Sequence, residues 1–139
     1  MINTITLCGS TRFMDDFREA NIQLTRGGLS VISLSFATQK ELDGVEIEKG
    51  MKEVLDLVHF NKILRSDAIV VVGDGYIGFS TAREILWASM QGKGLHRTMD
   101  HMESGGMNWP GLAYCIVDGR SQNGSNSLID QAQEVLRHL

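Results

Sequence analysis

The stretch AIVVVGDGYIGFSTAREIL, residues 68–86, decides the fold. It opens with an unbroken apolar run rich in β-branched side chains, which is typical of a central parallel strand. A loop that contains three glycines follows at residues 73–78. Ser80 and Thr81 then predict the cap of a helix that extends to about Gln91, because apolar residues recur there at helical spacing. Strand, loop and helix in this order predict one βα unit of a parallel sheet.

The alternation of strand and helix continues on both sides of this stretch. On the amino-terminal side, the pattern predicts a strand at residues 4–8, a helix that ends at Gly27-Gly28, a strand at residues 29–34 and a helix at residues 51–64. On the carboxyl-terminal side, it predicts a short strand near residues 94–96, a strand at residues 112–117 and a closing helix at residues 127–136.

Strands that alternate with helices at this interval predict parallel βαβ units. We therefore expect residues 1–139 to form one α/β domain, with a flavodoxin-like or Rossmann-like parallel sheet of about five strands flanked by helices on both faces. In the flavodoxin strand order, the first and third strands lie side by side. Residues 38–50 and 98–110 show no clear periodicity, and whether they close over a ligand stays open.

The charge and the cysteine content exclude several classes of protein. The net charge is −4 and the Lys and Arg residues are scattered, so we expect no binding to polymeric nucleic acid. No apolar stretch approaches membrane-spanning length and no leader pattern is present, so we expect a cytoplasmic protein that binds no membrane. Cys8 and Cys115 both lie in apolar strand-like runs, which favours reduced thiols over a disulfide or a metal site.

Two loops are expected to meet at the ligand site, because open α/β sheets bind ligands at the carboxyl ends of their strands. The loop after the first strand, Gly9-Ser10-Thr11-Arg12, offers backbone N–H groups, two hydroxyls and a guanidinium, which suit a phosphate or carboxylate. The alternative is a hydroxyl that only caps the helix beside a surface Arg. The loop at residues 73–78 matches neither a P-loop nor the dinucleotide fingerprint.

Glu84 has two interpretations on residue types alone. Thr81-x-x-Glu84 matches a capping box, in which the carboxylate accepts a hydrogen bond from the Thr81 backbone. This structural interpretation is favoured while only the spacing is considered.

Five motifs in chain order carry a resemblance to a known family. They are Cys8-Gly9-Ser10-Thr11-Arg12, Leu57-Val58-His59-x-x-Lys62-Ile63, Ser66-Asp67-Ala68, Gly75-Tyr76-Ile77-Gly78-x-Ser80-Thr81-x-x-Glu84-Ile85-x-x-Ala88 and Gly92-Lys93. Together they resemble the nucleoside 2-deoxyribosyltransferase superfamily, which also contains the deoxynucleoside monophosphate N-glycosidases. The similarity spans residues 4–95 and is greatest to prokaryotic or phage members with the same Tyr-Ile-Gly-x-Ser-Thr loop.

The resemblance implies a reaction and the residues that perform it. Glu84 matches the family's nucleophile, which attacks the anomeric carbon of the deoxyribose and is released by water or by a second base. Such a covalent ester leads to retention at that carbon. The resemblance also implies a flavodoxin-like fold and a homodimer or higher homo-oligomer. It implies substrate contacts at Cys8, Gly9, Ser10, Thr11, Arg12, Gly75, Tyr76, Gly78, Ser80 and Thr81, with residues 9–12 on a 5′-phosphate.

Two further residues are candidates for catalysis. His59 stands where the family often has an acidic residue, and it is expected either to orient the sugar or to act as an acid near neutral pH. Its alternative is a structural helical histidine. Asp74 is a candidate for orienting or protonating the departing base, or it serves only the backbone of its turn. Tyr76 is a better stacking surface for the base than Trp87, which is expected in the core.

The leading hypothesis is an enzyme that cleaves or transfers the N-glycosidic bond of a 2′-deoxynucleoside or its 5′-monophosphate. The alternative is a non-catalytic protein that senses or sequesters a nucleotide on the same fold. His96, His101 and His138 lack the spacing of metal ligands, and we expect neither a metal nor a cofactor. The base, the choice of hydrolysis or transfer and the oligomeric state stay open.

Overall fold

The computed structural model describes residues 2–35, 51–73, 76–98, 107–109, 112–117 and 128–138. The chain is an α/β protein. Its strands are β1 (Thr4–Cys8), β2 (Ser30–Ile32), β3 (Ala68–Val71), β4 (Gly94–Thr98), β5 (Met107–Trp109) and β6 (Leu112–Val117). Its helices are α1 (Met14–Arg26), which follows a 3₁₀ turn at Thr11–Phe13, α2 (Met51–Leu64), α3 (Phe79–Met90) and α4 (Leu128–Arg137).

The strands form one sheet in the order β2-β1-β3-β4-β6-β5. The first four strands in this order are parallel, and β1 pairs with β3 in the register Cys8 to Val71, so the predicted α/β class and the neighbouring first and third strands are confirmed. Because β1 and β3 end at the same level, the loops that follow them start side by side. This arrangement positions the site.

The last strands differ from the predicted parallel sheet. β6 pairs antiparallel with β4, and β5 pairs antiparallel with β6. β5 also lies within residues 98–110, for which no strand was expected. An apolar run such as residues 112–117 predicts a strand but not its direction, since both directions bury the same side chains. A strand that pairs in parallel with the strand before it in the chain needs a crossover of a dozen or more residues. Only two residues separate β5 from β6, and this spacing suits an antiparallel hairpin.

Alternate residues of the central strands belong to two different hydrophobic clusters, because successive side chains of a strand point to opposite sides. In the first cluster, α1 packs through Phe17, Ala20 and Leu24 on Ile5, Leu7, Ala68, Val70 and Val72. In the second, the buried apolar residues are Cys8, Ile63, Ile69, Val71, Ala82, Ile85, Ala88, Leu95, Leu128 and Ala132. The second cluster therefore joins α2, α3 and α4 to the sheet beneath the site.

The turn after β1 requires a glycine. Gly9 has φ +145°, and a Cβ there would lie 2.9 Å from the carbonyl oxygen of Val72 and 3.0 Å from its Cγ2. The Val72 N–H in turn donates to the Cys8 carbonyl at 2.9 Å. The backbones that leave β1 and β3 are therefore in direct contact at the start of both loops.

Within the described part of the chain, no helix has the length and apolar character needed to cross a membrane.

Candidate functional site

A cavity of about 540 Å³ lies where the carboxyl ends of β1 and β3 face α2. The loop after β1 lines it with Gly9, Ser10 and Thr11. The segment after β3 lines it with Tyr76, Gly78, Phe79, Ser80 and Thr81, and α3 adds Arg83 and Glu84. The opposite wall is one face of α2, with Lys52, Leu55, Asp56 and His59. Most of the predicted site residues therefore meet in one place.

Four predicted residues are not among the described residues that line the cavity. Asp74 and Gly75 lie outside the described residues. Cys8 is fully buried, below the cavity floor. Arg12 is exposed, and its guanidinium carbon lies 3.9 Å from the centroid of the Tyr76 ring, a cation–π contact that holds it at the rim.

Ser10 serves as a cap, as the simpler interpretation of its loop predicted, and it also lines the cavity. Its side chain accepts a hydrogen bond from the Arg12 N–H at 3.3 Å, so it caps the 3₁₀ turn. The same residue lines the cavity. The cap therefore stabilises the loop conformation in which Ser10 and Thr11 line the cavity.

The capping box predicted around Thr81 and Glu84 is wrong. Helix α3 begins at Phe79, its N-cap is Gly78, and no side chain caps it. Glu84 is thus the sixth residue of the helix, whereas the glutamate of a capping box is the third. Gly78 takes the extended conformation of an N-cap (φ −85°, ψ 179°), which starts the helix before Ser80. The Ser80 hydroxyl instead accepts a hydrogen bond from Lys52 Nζ at 3.0 Å.

Glu84 is buried at the inner end of the cavity. Only 9% of its surface is exposed, and its Oε2 has no hydrogen-bond partner among the described residues. Burial, followed by the negative charge of Asp56, raises the pKa of Glu84 to about 8, against an opposing effect of Lys52. A buried, under-satisfied carboxyl that faces a cavity is costly to stability, and such groups occur where a ligand or a reaction uses them.

His59 is a neutral imidazole at neutral pH. Burial, followed by the charge of Lys62, lowers the pKa of His59 to about 4. This differs from the expectation that His59 acts as an acid near neutral pH, because a group with this pKa carries no extra proton there. Its Nε2 lies 3.8 Å from Glu84 Oε1. Both groups are neutral between about pH 4 and about pH 8, so the contact is not an ion pair in that range.

Cys8 completes a compact group with His59 and Glu84. Its Sγ lies 3.5 Å from His59 Nε2. Burial, followed by the charge of Glu84, raises the pKa of the Cys8 thiol well above its usual value. The potential ligand atoms of the three residues all lie within 4.8 Å of one another, although they come from β1, α2 and α3. Residues this far apart in sequence carry no local signal of such a group.

The α2 wall adds charged residues that the sequence reasoning missed. Lys52 Nζ donates a hydrogen bond to the Ser80 hydroxyl, and Asp56 Oδ2 lies 3.5 Å from Arg83 Nη1 in an ion pair. A signal for this wall was present, since positions 52, 56 and 59 follow helical spacing and therefore share a face with His59. The pair of Asp56 and Arg83 holds α2 against α3 at the cavity mouth.

No protein-family model matches the sequence, and no curated protein matches it significantly.

Proposed function

We propose that this protein cleaves or transfers the N-glycosidic bond of a 2′-deoxynucleoside or its 5′-monophosphate, with Glu84 as the nucleophile. The observation that carries the proposal is the Glu84 carboxyl, buried and with an unpartnered Oε2, at the inner end of a cavity of about 540 Å³. Cavities of a few hundred cubic ångströms accommodate molecules the size of a nucleotide. The resemblance of Glu84 and its surrounding motif to the deoxyribosyltransferase superfamily supports the choice of reaction.

The proposed reaction has two displacements. The ionised Glu84 carboxylate forms a bond to the anomeric carbon while the carbon–nitrogen bond to the base breaks, and the electron pair stays on the base, which takes up the proton that Glu84 has given up. Water, or the nitrogen of a second base, then attacks the same carbon, loses a proton to solvent and releases Glu84 as a carboxylate. Two inversions give net retention.

The walls suit the two ends of such a substrate. Three hydroxyl-bearing residues, Ser10, Thr11 and Ser80, line the cavity, and Lys52 Nζ lies 3.0 Å from the Ser80 oxygen. Hydroxyls beside a cation suit a phosphate, which favours the monophosphate as substrate. Tyr76 lines the cavity, with Arg12 against its ring, and offers an aromatic surface for the base.

The proposal extends to the whole protein. It includes a flavodoxin-like sheet covered by helices on both faces, a cytoplasmic location and a homodimer or higher homo-oligomer. The partner is a small nucleoside or nucleotide rather than polymeric nucleic acid. The two hydrophobic clusters that share β1 and β3 support the doubly covered sheet.

A second candidate is binding without turnover, and the raised pKa of Glu84 favours it. Below about pH 8 the carboxyl keeps its proton, so it donates a hydrogen bond instead of attacking a carbon. A protein that senses or sequesters a nucleotide needs no nucleophile. If the rest of the cavity provides the binding energy, such a protein retains most of its ligand affinity when Glu84 is replaced by Ala.

The deciding experiment incubates the protein with a panel of deoxynucleosides and their monophosphates and follows the free base by chromatography. We expect release by the wild type and a loss of at least about 10³-fold in Glu84→Ala, the usual scale for a missing nucleophile. Glu19→Ala, on the exposed side of α1, is the matched control and is expected to keep full activity. If Glu84→Ala releases the base as fast as the wild type, Glu84 is excluded as the nucleophile. If the wild type binds the substrates but releases no base, the second candidate is favoured.

A further inference from the structure

The cluster of Cys8, His59 and Glu84 has a use that base cleavage does not require. We propose that these three side chains bind a divalent transition-metal ion of the Zn²⁺ class, and that the bound ion blocks the site. Only the second half of this inference rests on the proposed function, since the metal site itself is defined by geometry.

The distances fit a tetrahedral ion. Cys8 Sγ and His59 Nε2 are 3.5 Å apart, and His59 Nε2 and Glu84 Oε1 are 3.8 Å apart. With metal–ligand bonds of about 2.3 Å to sulfur and about 2.0–2.2 Å to nitrogen and oxygen, the ligand atoms of a tetrahedral site lie about 3.3–3.6 Å from one another. The three ligand atoms all lie within 4.8 Å of one another, so binding of the ion requires the Glu84 carboxyl to move toward the other two ligands.

The donor set selects the kind of ion. A thiol, an imidazole and a carboxyl together suit Zn²⁺ and its neighbours, whereas Mg²⁺ and Ca²⁺ require a set of oxygen ligands. The unpartnered Oε2 of Glu84 is a buried polar atom with unused acceptor capacity beside these donors.

The three ligands are held by three different elements. Cys8 ends β1, and the packing of α2 and α3 on the second hydrophobic cluster places His59 and Glu84 opposite it. The His59 ring also lies close enough to the backbone of Leu7 for that backbone to raise its pKa, and outer contacts of this kind orient a ligand histidine. Three protein ligands leave the fourth position of a tetrahedron toward the cavity.

Metal binding and catalysis exclude each other at this cluster. The ion displaces the thiol proton of Cys8 and the carboxyl proton of Glu84 to solvent, and the resulting thiolate and carboxylate balance its two positive charges. The ion draws electron density from the Glu84 carboxylate and occupies the space beside it at the inner end of the cavity, so the carboxylate is a weaker nucleophile and the anomeric carbon cannot reach it. Zn²⁺ and the substrate therefore compete for the same site.

The test is a titration of the full-length protein with Co²⁺, which reports on its ligands by absorption. We expect saturation at one equivalent, with the visible bands of tetrahedral cobalt and a near-ultraviolet charge-transfer band from thiolate to metal. The sequence has only two cysteines, so Cys115→Ser isolates Cys8. If the Cys115→Ser variant keeps the charge-transfer band, the site is supported. If this variant loses the band, or if the wild type shows no band, the proposal is overturned.

A second variant measures the carboxyl ligand. Glu84→Gln, which keeps the shape of the side chain, is expected to weaken Co²⁺ binding by at least about 10- to 100-fold, because even outer contacts of metal ligands contribute on this scale. Unchanged affinity would remove Glu84 from the site.

The last arm separates the two proposals. With a substrate that the protein turns over, Zn²⁺ is expected to inhibit base release competitively, and non-competitive inhibition or none overturns the blocking role. The cobalt spectrum requires no turnover. A protein that shows the charge-transfer band but cleaves no substrate therefore refutes the proposed function and keeps the metal site.

Discussion

Burial moves the pKa values of Glu84 and His59 in opposite directions, to about 8 and about 4. In water the carboxyl would be charged and the imidazole partly charged near pH 6, and a contact of 3.8 Å would then be an ion pair. In the protein, both groups are neutral at that pH. The chemistry of the site is therefore controlled by whatever removes the Glu84 proton.

Asp56→Asn is expected to lower the pKa of Glu84. The negative charge of Asp56 is the second cause that raises this pKa, after burial, and its loss also leaves the positive charge of Arg83 without its partner at 3.5 Å. The pH profile of base release, or the ¹³C chemical shift of the Glu84 carboxyl, should therefore shift to lower pH. Asp15→Asn, on the exposed first turn of α1, is the control. An unchanged or higher midpoint in Asp56→Asn would contradict the assignment.

Glu84→Gln is expected to stabilise the protein, and more so at high pH. The pKa rises from 4.5 in the unfolded chain to about 8 in the folded protein. The folded state therefore binds the proton more tightly, and Glu84 destabilises it progressively as the pH rises through this range. Gln, which is never charged, avoids this penalty of a few kcal/mol at most. Denaturant unfolding at about pH 5 and about pH 9 measures the effect.

The comparison for this prediction is Glu19→Gln, since Glu19 lies on the exposed side of α1. Its effect on the free energy of unfolding should be small and nearly independent of pH. A Glu84→Gln effect that is equal at both pH values would mean that Glu84 ionises normally in the folded protein.

At the scale of elements, the sequence predicted most of the helices and strands. The periodicity of residues 51–64 matches α2 residue for residue, and the apolar run that begins at residue 68 is β3. Such long or strongly apolar segments carry their own signal. The predicted start of α3 was wrong because Gly78 is the N-cap, and a glycine has no side chain that marks a helix start in the sequence. The antiparallel direction of β6 depends on pairing with β4, which no local pattern encodes.

The turn between β1 and α1 gives a prediction at this scale. Gly9→Ala is expected to destabilise the protein more than Gly28→Ala does. The difference should be about 1–3 kcal/mol, which is the typical cost of adding a methyl group to a tightly packed position. Both glycines have a positive φ, +145° and +89°, so both variants carry backbone strain. A Cβ at Gly9 meets Val72, whereas nothing lies within 4 Å of one at Gly28. Thermal or denaturant unfolding of the two variants decides, and equal losses would show that close approach is unimportant.

The whole molecule unfolds, we expect, as one unit, because its two hydrophobic clusters share β1 and β3. Leu24→Ala removes a fully buried side chain from the first cluster and should cost about 2–5 kcal/mol. Trp87 packs against the second cluster, and in a Trp109→Phe background it is the one tryptophan of the sequence and reports on that cluster by fluorescence. The fluorescence midpoint and the circular dichroism midpoint should shift together.

Ile22→Ala is the matched control for this prediction. Ile22 lies on the same helix but is 48% exposed, so its loss should move the midpoints little. Two separate midpoints in Leu24→Ala would show that the clusters unfold independently.

The candidate site was predictable only in part at the scale of the molecule. The two loops were found because parallel strands end at one edge of the sheet, and Glu84 and His59 were found through the resemblance. The contact of Cys8 with His59 was not, since it joins residues 51 positions apart. Lys52 and Asp56 were also missed, although their spacing from His59 places them on one face of α2.

The close approach of Gly9 to Val72 divides the cavity into a fixed half and an adjustable half. At Gly9 the wall is main chain, which the Val72–Cys8 hydrogen bond fixes in place, and substitutions at this position cannot reshape it without moving Val72. On the α2 side, the wall includes Lys52 and Leu55, which lie on a helix whose main chain is unaffected by a change of side chain. Anyone who wishes to evolve a new ligand preference should therefore randomise these α2 positions, while diversity introduced at Gly9 would be lost to misfolded variants.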